Sequence, residues 1–232
     1  MNQVGRNPFS LSYYASILKD AKDRGYTPMT LEEFWSNGCP SCGVMVLRHD
    51  VDVKPHTLNK LLDVEREAGC RSTLYVRVAG APYNFLDYPV FNVLTRAEAD
   101  GFKIGLHTNY YEFSQLNPAN KLDPIMVVAS ELAMLGTYFP VRSIAPHRDH
   151  NYAFNCLPHL EENWDRIRSL GVDFQAYDDK IINNATYVNE GYEIHLQWRK
   201  QTPEQVLPSG KSICIMTHSH WWYDKYPFEE WD

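Results

Sequence analysis

The sequence predicts an α/β fold in one domain: a closed or nearly closed barrel of parallel strands, most of them followed by a helix. Three observations carry this expectation. Short continuous apolar runs, the mark of strands buried on both faces, alternate with amphipathic stretches long enough for helices. Gly closes most of those amphipathic stretches, as it closes helices. No linker rich in Gly/Ser or Pro, no repeat and no low-complexity segment divides the 232 residues, a comfortable length for one domain with a full core. Six or seven strand–helix units suit a barrel, with a doubly wound open sheet as the competing arrangement.

The elements follow in order. Ser12 to Arg24 predicts a helix, with Tyr14, Ile17, Leu18 and Ala21 at helical spacing and Gly25 at the stop. Thr30 caps a short helix, Leu31 to Trp35, and Glu33 stands where a capping box needs it. Val44 to Leu47 is the first strand and runs into Arg48-His49-Asp50-Val51-Asp52. A helix from His56 to Ala68 buries Leu58, Leu61, Leu62 and Val64 and ends at Gly69. Ser72 to Val78 is the second strand, Phe91 to Asp100 a helix, and Phe102 to Leu106 the third strand, which ends at His107. Pro124 to Leu135 is helical, and Val141 to Ala145 is the fourth strand, ending in Pro146-His147-Arg148-Asp149-His150. Leu160 to Leu170 is a helix and Val172 to Ala176 the fifth strand. Tyr187 to Trp198 holds one or two short strands. Ile213 to Met216 is the last strand and ends at Thr217-His218-Ser219-His220. Residues 1–43 form a helical lead-in packed on a barrel of residues 44–232.

Composition narrows the function. Charged residues make up 22 % and hydrophobic residues 44 %, the balance of an ordinary globular protein. A net charge of -7 argues against nucleic acid as a partner, because that needs a basic footprint. No apolar run approaches the roughly 20 residues of a membrane-spanning helix. The start lacks a charged segment followed by an apolar one, so a cytoplasmic location is expected. The five Cys form no disulfide framework. Cys39 and Cys42 make one CxxC, but no second pair completes a zinc site, and the pair precedes a strand rather than opening a helix. It is a turn carrying two incidental thiols. No motif encodes an oligomeric state.

The informative fact is where the polar residues sit. Four apolar strands run straight into His or Asp: at His49, Asp50 and Asp52, at His107, at His147 and His150, and at His218 and His220. In a parallel barrel all strand C-termini open on one face, where active sites are built. Asp50 and Asp52, two apart on an extended strand end, point to the same side. Two such carboxylates repel one another and attract a cation. Imidazole with carboxylate oxygen is the donor set of a hydrolytic zinc site. Each residue taken alone has a plainer role. Asp52 could cap a helix beginning near Lys54, a single His is usually a satisfied polar group, and aromatic stretches usually pack in cores. Four strand ends together outweigh those roles. Tyr110, Tyr111, Trp221, Trp222 and Tyr223 follow strand ends and offer faces for a sugar ring, while Arg48 and Arg148 offer cations to a carboxylate or an anionic substrate group.

These residues resemble the polysaccharide deacetylases, the NodB-homology group or carbohydrate esterase family four, in a divergent branch marked by Arg-His-Asp-x-Asp after the first strand. The resemblance covers about Val44 to Trp222, and Gly25-Tyr26 is similar to that branch's lead-in. It implies a distorted (β/α)7-type barrel and a divalent metal, zinc foremost. Asp50 is implied as general base and Asp52 as metal ligand. The family's second motif, His-Ser/Thr-x-x-His, here reads His107-Thr108-Asn109-Tyr110-Tyr111, so His107 is implied as ligand and Tyr111 stands in place of the second His. Three repairs are open: His147 supplies the missing ligand, His49 does, or two ligands serve. His147 is favoured. His218 matches the family's general acid, with His220 as the nearby alternative. Arg48, Tyr111, Arg148, His220 and Trp221 are the implied substrate contacts.

The implied activity is hydrolysis of an acyl group, N-acetyl foremost, from a sugar, sugar nucleotide or lipid-linked glycan made inside the cell for a surface polysaccharide. A degenerate domain that binds glycan without cleaving it is the alternative outside enzymes. A two-metal phosphoesterase needs more carboxylates than these strand ends supply.

Overall fold

The computed structural model describes residues 9–78, 83–116, 122–147, 156–190 and 197–224. Among the described residues there are eight strands: β1 (Thr27–Met29), β2 (Val44–Val51), β3 (Thr73–Arg77), β4 (Lys103–Thr108), β5 (Ser143–Pro146), β6 (Phe174–Gln175), β7 (Thr186–Asn189) and β8 (Ile213–His218). All pair in parallel, in the order β6-β5-β4-β3-β2-β8-β7, with β1 added beside the start of β2. Among the described residues β6 and β7 do not pair, so the sheet curls into a half-barrel open along that seam. Across the seam the rings of Tyr177 and Tyr187 approach to 6.0 Å. The predicted α/β barrel is therefore present in its distorted form, as one domain.

Helices α1 (Leu11–Asp23), α3 (Leu58–Glu67), α4 (Tyr88–Ala99) and α6 (Pro124–Gly136) cover the outside of the sheet. Ser10 caps α1 by accepting from Tyr13 N, and Tyr14, Ile17, Leu18 and Ala21 face inward at the expected spacing. The short helix α2 (Leu31–Ser36) carries the capping box of Thr30 and Glu33. Its Leu31 and Phe34 plug the barrel interior with Val44, Val46, Tyr75, Ala145, Phe174 and Cys214. Helices α5 (Tyr110–Leu116), α7 (Cys156–Glu162), α8 (Trp164–Arg168), α9 (Asp179–Ile182) and α10 (Pro203–Val206) complete the described set. No helix among the described residues is long and apolar enough to cross a membrane.

Helices α5, α9 and α10 were not expected from the sequence, and three further departures bear on the sheet and the site. The lead-in contributes a strand, Thr27–Met29, to the sheet, where an unassigned link between two helices was expected. The expected helix Leu160 to Leu170 is two pieces, broken at Asn163, whose side-chain amide donates to the His159 carbonyl at 2.9 Å. The first, third and last strands run past their apolar runs, so Arg48, His49, Asp50, His107, Thr217 and His218 lie inside strands.

Side-chain alternation divides β2 cleanly. Val44 and Val46 face the interior, whereas Met45 and Leu47 join Ile17, Leu18 and Leu61 in the core under α1. Gly105 allows a close approach inside the barrel. A Cβ there would stand 2.5 Å from Tyr75 Cε1, and the Tyr75 ring occupies that space instead.

Candidate active site

The face alternation of β2 decides which polar residues meet. Arg48 and Asp50 follow Val44 and Val46 on the interior side, and Asp52 lies just beyond the strand end. His49 points to the other side. There its Nε2 lies 2.6 Å from Glu65 Oε1 and its Nδ1 2.8 Å from Thr217 Oγ1, while Tyr14 donates its hydroxyl to the same Glu65 oxygen at 2.5 Å. His49 is fully buried in this network and is removed from the set of candidate ligands.

Asp52 is the meeting point. His107 Nε2 lies 3.0 Å from Asp52 Oδ1, His147 Nε2 3.5 Å from Oδ2, and His218 Nε2 3.2 Å from Oδ2. Asp52 does not act as a helix cap: the 3-10 turn that follows, Pro55–Thr57, begins at Lys54 with no side-chain cap bond. His107 donates Nδ1–H to the Ala145 carbonyl at 2.9 Å, which turns its Nε2 toward Asp52. His147 is brought in by a backbone bond, its N–H donating to the Thr108 carbonyl at 2.6 Å where β4 and β5 end. The His107 and His147 rings meet edge to face at 5.0 Å.

Asp52, His107 and His147 each offer one donor atom, and these lie within 4.8 Å of one another. Oδ1 of Asp52 is buried without a hydrogen bond, an orphaned acceptor at the centre of the cluster. Burial alone would raise the Asp52 carboxyl, but the three facing imidazoles, His107 first, hold it well below the usual range. Burial, assisted by the charges of His107 and Arg77, lowers His147 below the ordinary imidazole value despite Asp52. An ionised carboxylate and two imidazoles that turn Nε2 toward it, His147 with its value lowered, are the donor types a divalent ion requires, since an imidazole releases its proton when it binds one. The residues present fit such a group.

Asp50 sits beside this cluster, its Oδ2 3.7 Å from His107 Nε2. Arg48 grips both its oxygens, and the guanidinium lies between the Tyr75 and Tyr177 rings, 4.9 and 4.6 Å from their centroids. Burial would raise the Asp50 carboxyl; Arg48, with His107 and His218, brings it below its ordinary value. Arg48 is therefore committed to Asp50, with one further bond of 3.2 Å to the Tyr177 hydroxyl.

His218 ends β8 in register with Asp50. Glu190, just past β7, accepts from both its Nδ1–H, at 2.6 Å, and its backbone N–H. Burial would lower the His218 value, but Glu190 and Asp52 raise it well above the ordinary one, so the imidazolium is favoured. His220 lies next to it, ring centroids 5.8 Å apart, and Trp221 tilts against His220 at 4.8 Å. Burial and the His218 charge push His220 down to about 3.

The structure thus gathers Arg48, Asp50, Asp52, His107, His147 and His218 at one rim, with His220 and Trp221 at its edge. Tyr111 instead stacks on His159, 4.4 Å between centroids and 17° between planes, and packs against the core outside the sheet. Trp222 and Tyr223 are core residues, Trp222 packing with Phe9 and Tyr14. Arg148 and His150 lie outside the described residues. Glu190, Tyr177 and Arg77 belong to the rim and were not singled out from the sequence.

The fold defines a class: the chain has the NodB-like fold of the polysaccharide deacetylases. A solved structure of the Streptococcus pyogenes deacetylase PplD in complex with acetate superposes with a TM-score of 0.50 and 14 % identity, over 89 % of this chain and 80 % of that one. A Bordetella bronchiseptica protein described as a putative polysaccharide deacetylase involved in O-antigen biosynthesis matches at a TM-score of 0.43 and 12 % identity, over 86 % and 80 % of the two chains. No protein-family model and no curated protein matches the chain.

Proposed function

We propose that the protein is a metal-dependent hydrolase that removes an acyl group, N-acetyl foremost, from a sugar or from a glycan carried on a nucleotide or lipid during surface polysaccharide assembly. The observation that carries the reading is the convergence of Asp52, His107 and His147 donor atoms within 4.8 Å, flanked by Asp50 and His218. The likeness to a deacetylase crystallised with acetate supports the reaction class.

Asp52, His107 and His147 hold the ion in this reading, with zinc expected from the imidazole–carboxylate set. A divalent ion bound there supplies a polarised acyl carbonyl and a more acidic water. Asp50, kept ionised by Arg48, stands ready to take the proton of the attacking water. His218, kept protonated by Glu190, gives a proton to the leaving sugar nitrogen as the carbon–nitrogen bond breaks. His220 and Trp221 border the sugar, and Tyr75 and Tyr177 fix the guanidinium that holds the base.

The test pairs metal analysis with acetate release. Asp50→Asn should retain the ion and lose about 10²–10⁴-fold in turnover on N-acetylated sugars. Full turnover in that variant removes Asp50 as base. A metal-free wild-type protein that still binds glycans favours the non-catalytic alternative.

A further inference from the structure

Among the described residues Arg77 is a cation with no ion-pair partner, beside the candidate metal donors. It ends β3, where Thr73, Tyr75 and Arg77 share one face by alternation and Tyr75 lies in the interior cluster. Arg77 is in register with His107 of β4, and β2 pairs with β3 so that Asp50 faces Tyr75. Carried two residues further, that register sets Asp52 across from Arg77. The side chain is only 6 % exposed, its Nε is buried with no hydrogen bond, and among the described residues no carboxylate forms an ion pair with it. Its backbone N–H donates to the Tyr83 hydroxyl at 2.9 Å, and that hydroxyl donates to the Val51 carbonyl at 2.6 Å, which pins the strand end in place.

A buried guanidinium whose Nε–H is unmet is costly unless something meets it. The metal is no reason for it to be there, since a cation beside metal donors opposes the binding of another. Arg48, the other buried arginine of the rim, gives Nε and Nη2 to Asp50 and so has its charge paired, although its Nη1 is also buried without a hydrogen bond. In a chain of net charge -7, an anion is held here by local positive charge or not at all.

We infer that Arg77 recognises an acidic group, a carboxylate or a phosphate, on the substrate next to the acyl group that is cleaved. A planar fork of N–H donors suits the paired oxygens of either group. The inference rests on the hydrolase reading for the acyl group but not for the anion.

Two measurements separate them. Inorganic phosphate is titrated into metal-stripped protein by calorimetry, so that no ion can bind it. Wild-type protein should bind phosphate, and Arg77→Gln should weaken the binding by at least about tenfold, the size of one charge-assisted hydrogen bond. Arg77→Lys, which keeps the charge and one donor, should fall between them and serves if the Gln variant does not fold. No phosphate binding by the wild type, or equal affinity in the variants, overturns the inference. In the second measurement, metal-loaded enzyme is given N-acetylglucosamine, its 1-phosphate and N-acetylmuramic acid, and acetate is measured. Preference for the phosphate or for the carboxylate sugar identifies the group read, and Arg77→Gln should erase that preference. A loss of kcat/KM equal on all three sugars overturns it. If none is cleaved while phosphate binding still depends on Arg77, the hydrolase reading has failed and the anion site stands.

Discussion

Arg48 and Asp50 stand two residues apart on one strand and hold each other through two parallel hydrogen bonds of 2.8 Å, Nε to Oδ1 and Nη2 to Oδ2. Both are buried. The pair keeps a carboxylate ionised where burial would otherwise protonate it. Removing one partner leaves a buried charge uncompensated, at a typical loss of about 3–5 kcal/mol. Arg48→Met should lower the urea midpoint accordingly and abolish turnover. The double variant Arg48→Met/Asp50→Leu should recover most of the stability and none of the activity, because apolar replacement of a whole buried pair is often neutral. A double variant no more stable than the single one would show that the pair is not the source of the loss.

Glu190 should set the alkaline limb of the pH–rate profile. In the proposed reaction His218 must carry a proton to serve as acid, and Glu190 is the largest influence raising its value above the ordinary imidazole range. A raised value keeps the acid loaded through neutral pH, and activity falls as pH rises past it. Glu190→Gln keeps one acceptor for Nδ1–H but removes the charge. The alkaline limb of kcat/KM should then move to lower pH, with the acid limb in place. A profile displaced in neither limb would remove Glu190 from this role.

Behind the sheet, Glu65 ties the lead-in helix to the site strands. It receives the Tyr14 hydroxyl from α1 and faces His49 of β2, whose other nitrogen meets Thr217 of β8. His49 and Thr217 are the direct chain neighbours of Asp50 and His218. Tyr14→Phe should cost about 1–2 kcal/mol as one buried hydrogen bond is lost, and Glu65→Leu about 3–5 kcal/mol. Both should retain bound metal, since neither touches Asp52, His107 or His147. Chemical denaturation and metal analysis of the two variants check this, and loss of metal at full stability would contradict it.

Much of this arrangement was legible in the sequence, and what was missed has physical reasons. The clustering of Asp and His after apolar runs located the rim, because parallel strands present their ends on one side. The two-residue period separates Arg48 and Asp50 from His49, and it withdraws His49 as a ligand. The strands were cut short because apolar runs stop where polar side chains begin, yet Arg48, His49 and Thr217 are buried by their partners inside the strands. Glu190 carried no signal: it lies beyond a four-residue strand and meets His218 only across the sheet. Arg77 reads as an ordinary outward residue in Ser72 to Val78, since nothing local tells that its face is the barrel interior. The open seam between β6 and β7 depends on the sum of strand pairings, which no single segment encodes.

His220 gives the stability of the fold a pH dependence of definite sign. Its value falls from the ordinary 6.5 to about 3, through burial first and the neighbouring His218 charge second. The unfolded chain takes up a proton near the ordinary value, while the folded chain resists until about pH 3. The stability that His220 contributes as a neutral group is therefore complete above about pH 6.5, is lost as pH falls, and is gone near pH 3. Within that window the slope is about 1.4 kcal/mol per pH unit. His220→Asn removes the titration and should flatten this part of the curve. Urea midpoints of both proteins at pH 7, 5 and 4 test it: the gap between them should change steadily with acidification in favour of the variant. A constant gap would mean that His220 titrates in the folded protein as it does in the unfolded chain, and that its ring is open to water.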